Sequence, residues 1–181
     1  MECNVGRSLR ARIYDYMSID NFVKLRQEVV EKLIKNHLTI STCESATAGS
    51  IASNICDVPG ASNILSEAYV VYSNDAKKKI LHISDELIEK YGVVSKECAL
   101  SMVENLYKIT NSDICISITG NLGPDVLEDK PAGLVYAGFS YKANTHVREY
   151  HFDEDRLQNK SLVVNAVFEE IKYLINIFIN D

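Results

Sequence analysis

The chain has 181 residues, of which 46% are hydrophobic and 24% are charged, and its formal net charge is −6 at pH 7. These values are average for a soluble globular protein, and they exclude the disordered and fibrous classes. The acidic balance argues against a nucleic-acid partner, because a nucleic-acid-binding face normally makes a domain basic.

The cysteines and the hydropathy restrict the setting of the protein. Five cysteines, at positions 3, 43, 56, 98 and 115, form no CxxC pair and no Cys/His cluster. This spacing excludes the usual zinc and thioredoxin-type signatures and predicts free thiols in a reducing compartment. The sequence has no run of 18 apolar residues and no apolar core of a secretory signal, so we expect a cytoplasmic protein without a membrane span.

The first half of the chain alternates between helical and extended patterns. Residues 1–20 fit no period and are expected to be an N-terminal extension, which leaves residues 21–181 as the folded domain. Apolar residues at helical spacing predict a helix from Asn21 to about Asn36. The remaining predicted elements are a β-branched strand over 38–43, a closely packed helix over 47–56, a turn over 57–60 and a strand over 68–72.

The second half continues the alternation and ends with two strands and a long helix. Its predicted elements are a helix over 75–81 capped by Asn74 or Asp75, helices near 85–90 and 96–109 preceded by Ser84 and Ser95, strands over 114–118, 134–141 and 145–152, and a helix over 156–179. Strands that alternate with helices predict a single-domain, three-layer α/β/α sandwich. The last two strands suit a hairpin, so the central sheet should be mixed.

A first candidate site is the segment Cys43–Gly49, which reads CESATAG and lies where a strand ends and a helix begins. Ligands of open α/β sheets bind at the carboxyl ends of strands. Backbone N–H groups at a helix start can hold an oxyanion or a phosphate, and Ser45 would lie beside them. Alternatively, Ser45 or Thr47 could serve only as the helix N-cap. Cys43 has no histidine at any motif spacing and is a weak nucleophile candidate.

A second candidate is the segment Tyr72–Lys77, in which a strand supplies the tyrosine and the first turns of a helix supply the lysine. Burial near a helix N-terminus would lower the pKa of Lys77, as a general base requires. Tyr72 could relay a proton or donate to a carbonyl oxygen. Alternatively, Tyr72 is a core residue beside the solvated run Lys77–Lys79.

Two further loops carry groups that suit an anion. The loop Thr119–Pro124 follows the most hydrophobic strand, and its Gly120 and Gly123 expose backbone N–H groups, although a plain turn would have the same composition. Arg156 follows an acidic run and could bind a phosphate with its planar guanidinium, or lie on the surface.

Familiar cofactor motifs are missing from the sequence. It has no GxGxxG, GxxxxGK[ST] or GxSxG pattern. A set of Ser, Tyr and Lys occurs in short-chain dehydrogenases, but those need Tyr-x-x-x-Lys and a glycine-rich dinucleotide loop. The spacing between Tyr72 and Lys77 is one residue longer, and that loop is absent.

Taken together, the motifs over roughly residues 24–178 resemble the C-terminal domain of the CinA proteins, the nicotinamide-mononucleotide amidohydrolase family. Six motifs occur in the order typical of that family: ESATAG at 44–49, DVPGAS at 57–62, YSNDAK at 72–77, YGVVS at 91–95, TGNLGP at 119–124 with KPAG at 130–133, and the Asp155–Arg156 pair. A chance match of six motifs in register is excluded for practical purposes.

The resemblance implies a reaction and a set of roles. Members hydrolyse the carboxamide of nicotinamide mononucleotide to nicotinic acid mononucleotide and ammonia, without a metal or another cofactor. Carried onto this sequence, the nucleophile is Ser45, and Tyr72 and Lys77 activate it. The implied substrate-binding residues are Glu44, Thr47, Gly49, Thr119, Gly120, Gly123 and Arg156. The implied partner is a small pyridine nucleotide, with no nucleic acid and no membrane.

The sequence departs from the family pattern in three places. Ala46 and Ala48 stand where the family usually has Cys and Gly, which costs little unless the backbone needs a positive φ. Residues 125–130 form a shorter loop with no glycine, and Lys160 replaces a second Arg. Longer members carry an additional N-terminal domain, so the resemblance implies the stand-alone form.

Two other interpretations stay open alongside the amidohydrolase. The fold could bind a nucleotide without catalysis, as a sensor or partner module, or it could hydrolyse another small amide. The final helix and the helix over 47–56 could each support a homo-oligomer interface, although both also suit a core.

Overall fold

The computed structural model describes residues 19–179, which form one mixed five-stranded sheet between two layers of helices. In chain order the elements are α1 (Ile19–Lys35), β1 (Ile40–Glu44), α2 (Ser50–Cys56), a 3₁₀ turn (Ala61–Asn63), β2 (Leu65–Val70), α3 (Asn74–Leu81), α4 (Asp85–Tyr91), α5 (Lys96–Thr110), β3 (Ile114–Gly120), β4 (Leu134–Tyr141), β5 (Asn144–His151) and α6 (Arg156–Ile179). The predicted three-layer α/β/α sandwich is confirmed.

The sheet has the strand order β2-β1-β3-β4-β5. The first three strands are parallel, whereas β4 and β5 form the antiparallel hairpin that makes the sheet mixed. Parallel strands end at the same edge, so the segments after β1, β2 and β3 come together there. All three carry residues that the sequence marks as candidates.

Each face of the sheet is buried by its own helices. On one face α1, α2 and α6 pack against the sheet around residues such as Val30, Ile116 and Phe168. On the other face α3, α4 and α5 cover a smaller cluster that contains Leu81 and Met102. The strand β3 is buried along its length except at its last residue, as its continuous apolar run predicts.

Several element boundaries differ from the sequence prediction. Helix α1 begins at Ile19, inside the predicted extension 1–20, and the rest of that extension lies outside the described residues. Strand β2 lies at Leu65–Val70 rather than 68–72, because it pairs with β1 from Leu65 onward. The N-cap of α3 is Ser73, whose hydroxyl accepts from Ala76 N, so the predicted caps Asn74 and Asp75 are wrong. The predicted caps Ser84 and Ser95 are confirmed.

Within the described residues no helix is long and apolar enough to cross a membrane. The described cysteines, at 43, 56, 98 and 115, are all free thiols.

Candidate active site

The turn 45–49 joins β1 to α2 at the carboxyl edge of the sheet. Its first residue, Ser45, is fixed to the neighbouring strand by a hydrogen bond from its N–H to Ile118 O (2.9 Å). Ala48 and Gly49 both have positive φ, 52° and 89°, and this reversal delays the start of α2 to Ser50. The turn therefore places Ser45 at the sheet edge, outside the helix.

Glu44 is the last residue of β1, and its buried carboxylate occupies the N-terminus of α2. It accepts from Thr47 Oγ1 (2.6 Å) and from the N–H groups of Ile51 and Ala52 (both 3.0 Å). These donors belong to the first turn of a helix and would otherwise be unpaired. Glu44 and Thr47 are both fully buried, and the hydrogen bond between them stabilises the turn.

The alternative that Ser45 or Thr47 is the N-cap of this helix is wrong. The N-cap residue is Gly49, with no side-chain cap. Because Glu44 takes the first donors of the helix, those N–H groups are not available to an oxyanion. The N–H groups of Ala46 and Thr47, the two residues that follow Ser45, donate to no acceptor within residues 19–179.

Lys77 points inward from α3 and is only 1% exposed. Its Nζ lies 3.1 Å from Ser45 Oγ, 3.1 Å from Val71 O and 3.4 Å from Tyr72 O. Burial lowers the pKa of Lys77. The reading of Lys77 as part of a solvated run is therefore wrong for this residue.

Arg156 is the first residue of α6, whose N-terminus is capped by Asp155 through the N–H groups of Leu157 and Gln158. The guanidinium donates to Gly123 O (2.7 Å) and to the hydroxyl of Tyr72 (3.3 Å). Tyr72 is 61% exposed, so the alternative of a core tyrosine is wrong. Arg156 thus connects the segment after β2 to the loop after β3.

The loop after β3 closes the other side of the site. Gly120 is required there, since a Cβ would lie 2.6 Å from Leu134 O. The side chain of Asn121 is bonded to main-chain groups of Leu127 and Lys130, and this fixes the shape of the loop. Thr119 is buried, and its hydroxyl donates to Val93 O (2.6 Å), away from the site.

These groups surround a pocket of about 410 Å³. Its lining consists of Ser45, Ala46, Tyr72, Arg156 and residues 120–127. Of the residues singled out in the sequence, the structure brings Ser45, Tyr72, Gly120, Gly123 and Arg156 to the pocket wall, with Lys77 directly behind Ser45. Glu44, Thr47, Gly49 and Thr119 do not line it. Lys160 faces a separate groove between α1, α2 and α6.

Other nucleophiles and ligand sets are not positioned for chemistry. Cys43 is fully buried, and burial raises the pKa of its thiol well above the ordinary value, so it stays protonated. None of the four histidines lines the pocket. Among the described residues no group of three or more His, Cys, Asp or Glu could hold a metal ion.

Two buried asparagines that organise the site were missed in the sequence. Asn121 shapes the loop after β3, and Asn159 donates to Leu122 O (3.0 Å) and Glu154 O (2.8 Å), which ties the start of α6 to that loop. The only signal for Asn159 is a polar residue on the apolar side of a helix. Its partners are main-chain carbonyls and leave no pattern in the sequence.

Solved structures of similar fold come from bacteria. The competence-damaged protein (CinA) superfamily protein from Escherichia coli is 29% identical with a TM-score of 0.83, and the match covers 93% of this chain and 99% of that one. The competence or damage-inducible protein from Enterobacter asburiae is 26% identical with a TM-score of 0.82, over 85% of this chain and 98% of that one.

Sequence relatives are longer than this chain. A competence-damage inducible protein of Clostridium novyi is 36% identical over 169 residues, which make up 93% of this chain and 41% of that protein. One from Listeria welshimeri is 39% identical over 154 residues, 84% of this chain and 37% of that protein. The chain spans about two fifths of the length of these curated relatives. Residues 23–175 match the family model described as the CinA C-terminal domain, and the chain belongs to this family.

Proposed function

We propose that the chain hydrolyses the carboxamide of nicotinamide mononucleotide to nicotinic acid mononucleotide and ammonia, with Ser45 as the nucleophile. The observation that carries the proposal is the buried pair of Ser45 and Lys77, with 3.1 Å between Oγ and Nζ, at the floor of a pocket. A hydroxyl next to a buried amine of lowered pKa is the arrangement that nucleophilic acyl transfer needs.

The contacts of Lys77 support its role as the base. Val71 O and Tyr72 O can only accept, so they hold the two N–H groups of a neutral amine. The amine lone pair is then directed at the third neighbour, the Ser45 hydroxyl. A protonated lysine would instead donate to all three oxygens, and burial disfavours this charged form.

Acylation follows from this geometry. Lys77 takes the Ser45 proton while Oγ bonds to the carboxamide carbon, and the N–H group of Ala46, which lines the pocket, is the candidate donor to the oxyanion. As the C–N bond breaks, the ammonium of Lys77 returns the proton to the leaving nitrogen, which departs as ammonia. The product is an ester between Ser45 and the pyridine carboxyl group.

Deacylation repeats the proton transfers with water. Water loses a proton to Lys77 and bonds to the ester carbon, and the bond from that carbon to Oγ breaks as Ser45 recovers its proton. Tyr72 and Arg156 lie at the pocket wall, where the tyrosine hydroxyl can assist proton transfer. Two of the five guanidinium N–H groups of Arg156 are used in the protein, so three are left for the substrate phosphate.

Ammonia release from nicotinamide mononucleotide by the purified chain tests the proposal. We expect Ser45→Ala to lower the turnover by about 10³-fold or more without unfolding the protein, whereas Ser62→Ala, on an exposed position, should leave it unchanged. Equal turnover by wild type and Ser45→Ala would refute the assigned nucleophile. Calorimetric binding of the nucleotide with no ammonia release would favour a non-catalytic sensor, and release from other amides only would favour a different substrate.

We also propose a cytoplasmic setting, because pyridine nucleotides and free thiols both belong to a reducing compartment. Fractionation of cells that express the chain tests the location. Light scattering tests whether the chain forms a homo-oligomer.

A further inference from the structure

The segment 124–130, named here the wall loop, lines one side of the Ser45 pocket with residues 124–127. Glu128 and Asp129 are consecutive non-glycine residues with positive φ, 61° and 51°. The left-handed region is disfavoured for residues that carry a Cβ, so two in succession persist only where other contacts hold them. This is also the part of the chain that departs from the family pattern.

In addition to the bonds from the Asn121 side chain, two side chains of the wall loop itself hold it in place. The Glu128 carboxylate accepts from Val93 N (2.5 Å) and Val94 N (3.1 Å). Lys130 Nζ donates to Tyr91 O (3.0 Å), to Val94 O (2.7 Å) and to Glu128 itself (3.1 Å). Glu128 and Lys130 together form a tether from the wall loop to residues 91–95, the connection between α4 and α5.

The segment 91–95, which the tether contacts, leaves space for the Glu128 carboxylate. A Cβ at Gly92 would overlap the Glu128 carboxylate, so glycine leaves the space that the carboxylate fills. Partial burial would raise the pKa of Glu128, but hydrogen bonds from Val93 N and Val94 N and the ammonium of Lys130 outweigh it, so the pKa is lowered. The carboxylate is therefore charged at neutral pH and accepts from both N–H groups at once.

The tethered loop presents apolar side chains to the pocket. Val126 and Leu127 are 44% and 57% exposed, and both line the same pocket as Ser45 and Tyr72. Exposed apolar side chains beside a few polar groups are typical of a ligand site that receives a flat, weakly polar ring. The tether therefore adds to the bonds from Asn121 in keeping these side chains in the wall.

We infer that the tether of Glu128 and Lys130 determines specificity, by holding Val126 and Leu127 as an apolar wall for the aromatic ring of the substrate. The substrate class is then an amide whose carbonyl is attached to a planar aromatic ring, rather than an aliphatic amide. Glu128 and Lys130 act as positioning residues and do not touch the reacting atoms. The identity of the ring rests on the proposed function.

The variant Glu128→Gln tests the inference, with Asp129→Asn as the matched control. Both remove one carboxylate charge from adjacent left-handed residues, but only the first replaces an acceptor of Val93 N and Val94 N. In Glu128→Gln we expect faster amide hydrogen exchange at Val93 and Val94, about tenfold or more, and a KM for nicotinamide mononucleotide about tenfold higher with kcat within about threefold. Asp129→Asn should behave as wild type in both measurements.

A double-mutant cycle with Lys130→Met separates the tether from independent effects. If the two residues act as one unit, Lys130→Met should raise KM similarly, and the double variant should raise it little more than either single variant. Additive effects would overturn the tether. Unchanged KM and exchange in Glu128→Gln, or equal changes in Asp129→Asn, would overturn the assigned role of Glu128.

The exchange measurement distinguishes failure of the inference from failure of the proposed function. If wild type binds the nucleotide without turnover, the calorimetric Kd replaces KM and should rise about tenfold in Glu128→Gln. If wild type neither binds nor hydrolyses the nucleotide while exchange still responds to Glu128→Gln, the proposed function fails, the tether stands and its role toward an aromatic ring is overturned.

Discussion

Lys77 differs from the lysines that follow it because its side chain is buried against Ser45. Lys78 instead pairs with Asp85, and Lys79 is exposed. Burial disfavours the ammonium form, so the pKa of Lys77 is lowered from its ordinary value near 10.5. The Glu128 carboxylate would favour the ammonium, but burial is the larger effect. Activity and stability should therefore both depend on this single group.

The pH dependence of kcat/KM should report the titration of Lys77. In the proposed mechanism the neutral amine is the base, so kcat/KM should rise with pH along a limb centred below 10.5 and then level off. Between the lowered pKa and 10.5 the unfolded chain binds more protons than the folded chain, so this residue's contribution to the free energy of unfolding also rises with pH. Steady-state rates and denaturant titrations across pH 6–10 measure the two effects.

Substitution by arginine isolates the proton-accepting role, since a guanidinium stays charged over this range. Lys77→Arg should be inactive at every pH, whereas Lys79→Arg, which keeps the charge at an exposed position, should retain the wild-type profile. A Lys77→Arg protein with measurable turnover would contradict the role of Lys77 as base.

At the scale of elements, the turn 45–49 shows what the sequence could and could not predict. Helix α6 begins and ends where its pattern predicts, because a long amphipathic stretch carries its own periodicity. Helix α2 begins three residues later than predicted, since its first donors are met by Glu44 from the preceding strand. Small residues such as Thr47 and Ala48 fit a helix or a turn equally well, so local composition could not decide.

The limits of local sequence composition also apply to the site. Ser45, Tyr72 and Lys77 follow from motifs at strand ends, and parallel strands bring those ends together. Thr119 belongs to such a motif as well, yet its hydroxyl donates to Val93 O, 26 residues away in the sequence. Hydrogen bonds to main-chain atoms across that distance depend on packing and are not encoded in a local pattern.

The left-handed residue in this turn predicts a stabilising substitution. Ala48 has φ 52° and is exposed, and relief of the left-handed strain by glycine is worth about 1–2 kcal/mol. The greater freedom of glycine in the unfolded chain offsets about 0.5–1 kcal/mol. Ala48→Gly should therefore raise the free energy of unfolding by about 0.5–1 kcal/mol and Tm by about 2–3 °C, measured by thermal melts.

Ala52→Gly in α2 is the matched control for this substitution. Glycine in a regular helix costs about 1 kcal/mol relative to alanine, so the two variants should shift Tm in opposite directions. A lower Tm for Ala48→Gly would mean that the turn gains more from the Cβ of Ala48 than it loses in backbone strain.

At the scale of the whole molecule, three buried thiols can be used to follow the unfolding of the helical layer formed by α3, α4 and α5. Cys43 on β1, Cys98 on α5 and Cys115 on β3 are fully buried in the same apolar cluster. Burial raises the pKa of all three thiols, that of Cys98 to about 11, so both access and thiolate formation are suppressed in the folded chain. Cys56, at the end of α2, is exposed and serves as the internal control.

Alkylation mapped by peptide mass spectrometry should therefore separate these thiols. In native buffer Cys56 should be modified rapidly and the three buried thiols slowly. In increasing denaturant the buried thiols should become reactive with one shared midpoint, which coincides with the loss of far-ultraviolet circular dichroism, because both helical layers depend on the same sheet. Earlier modification of Cys98 alone would instead mean that α5 detaches before the sheet unfolds, and the α3–α5 layer would then be a separate cooperative unit.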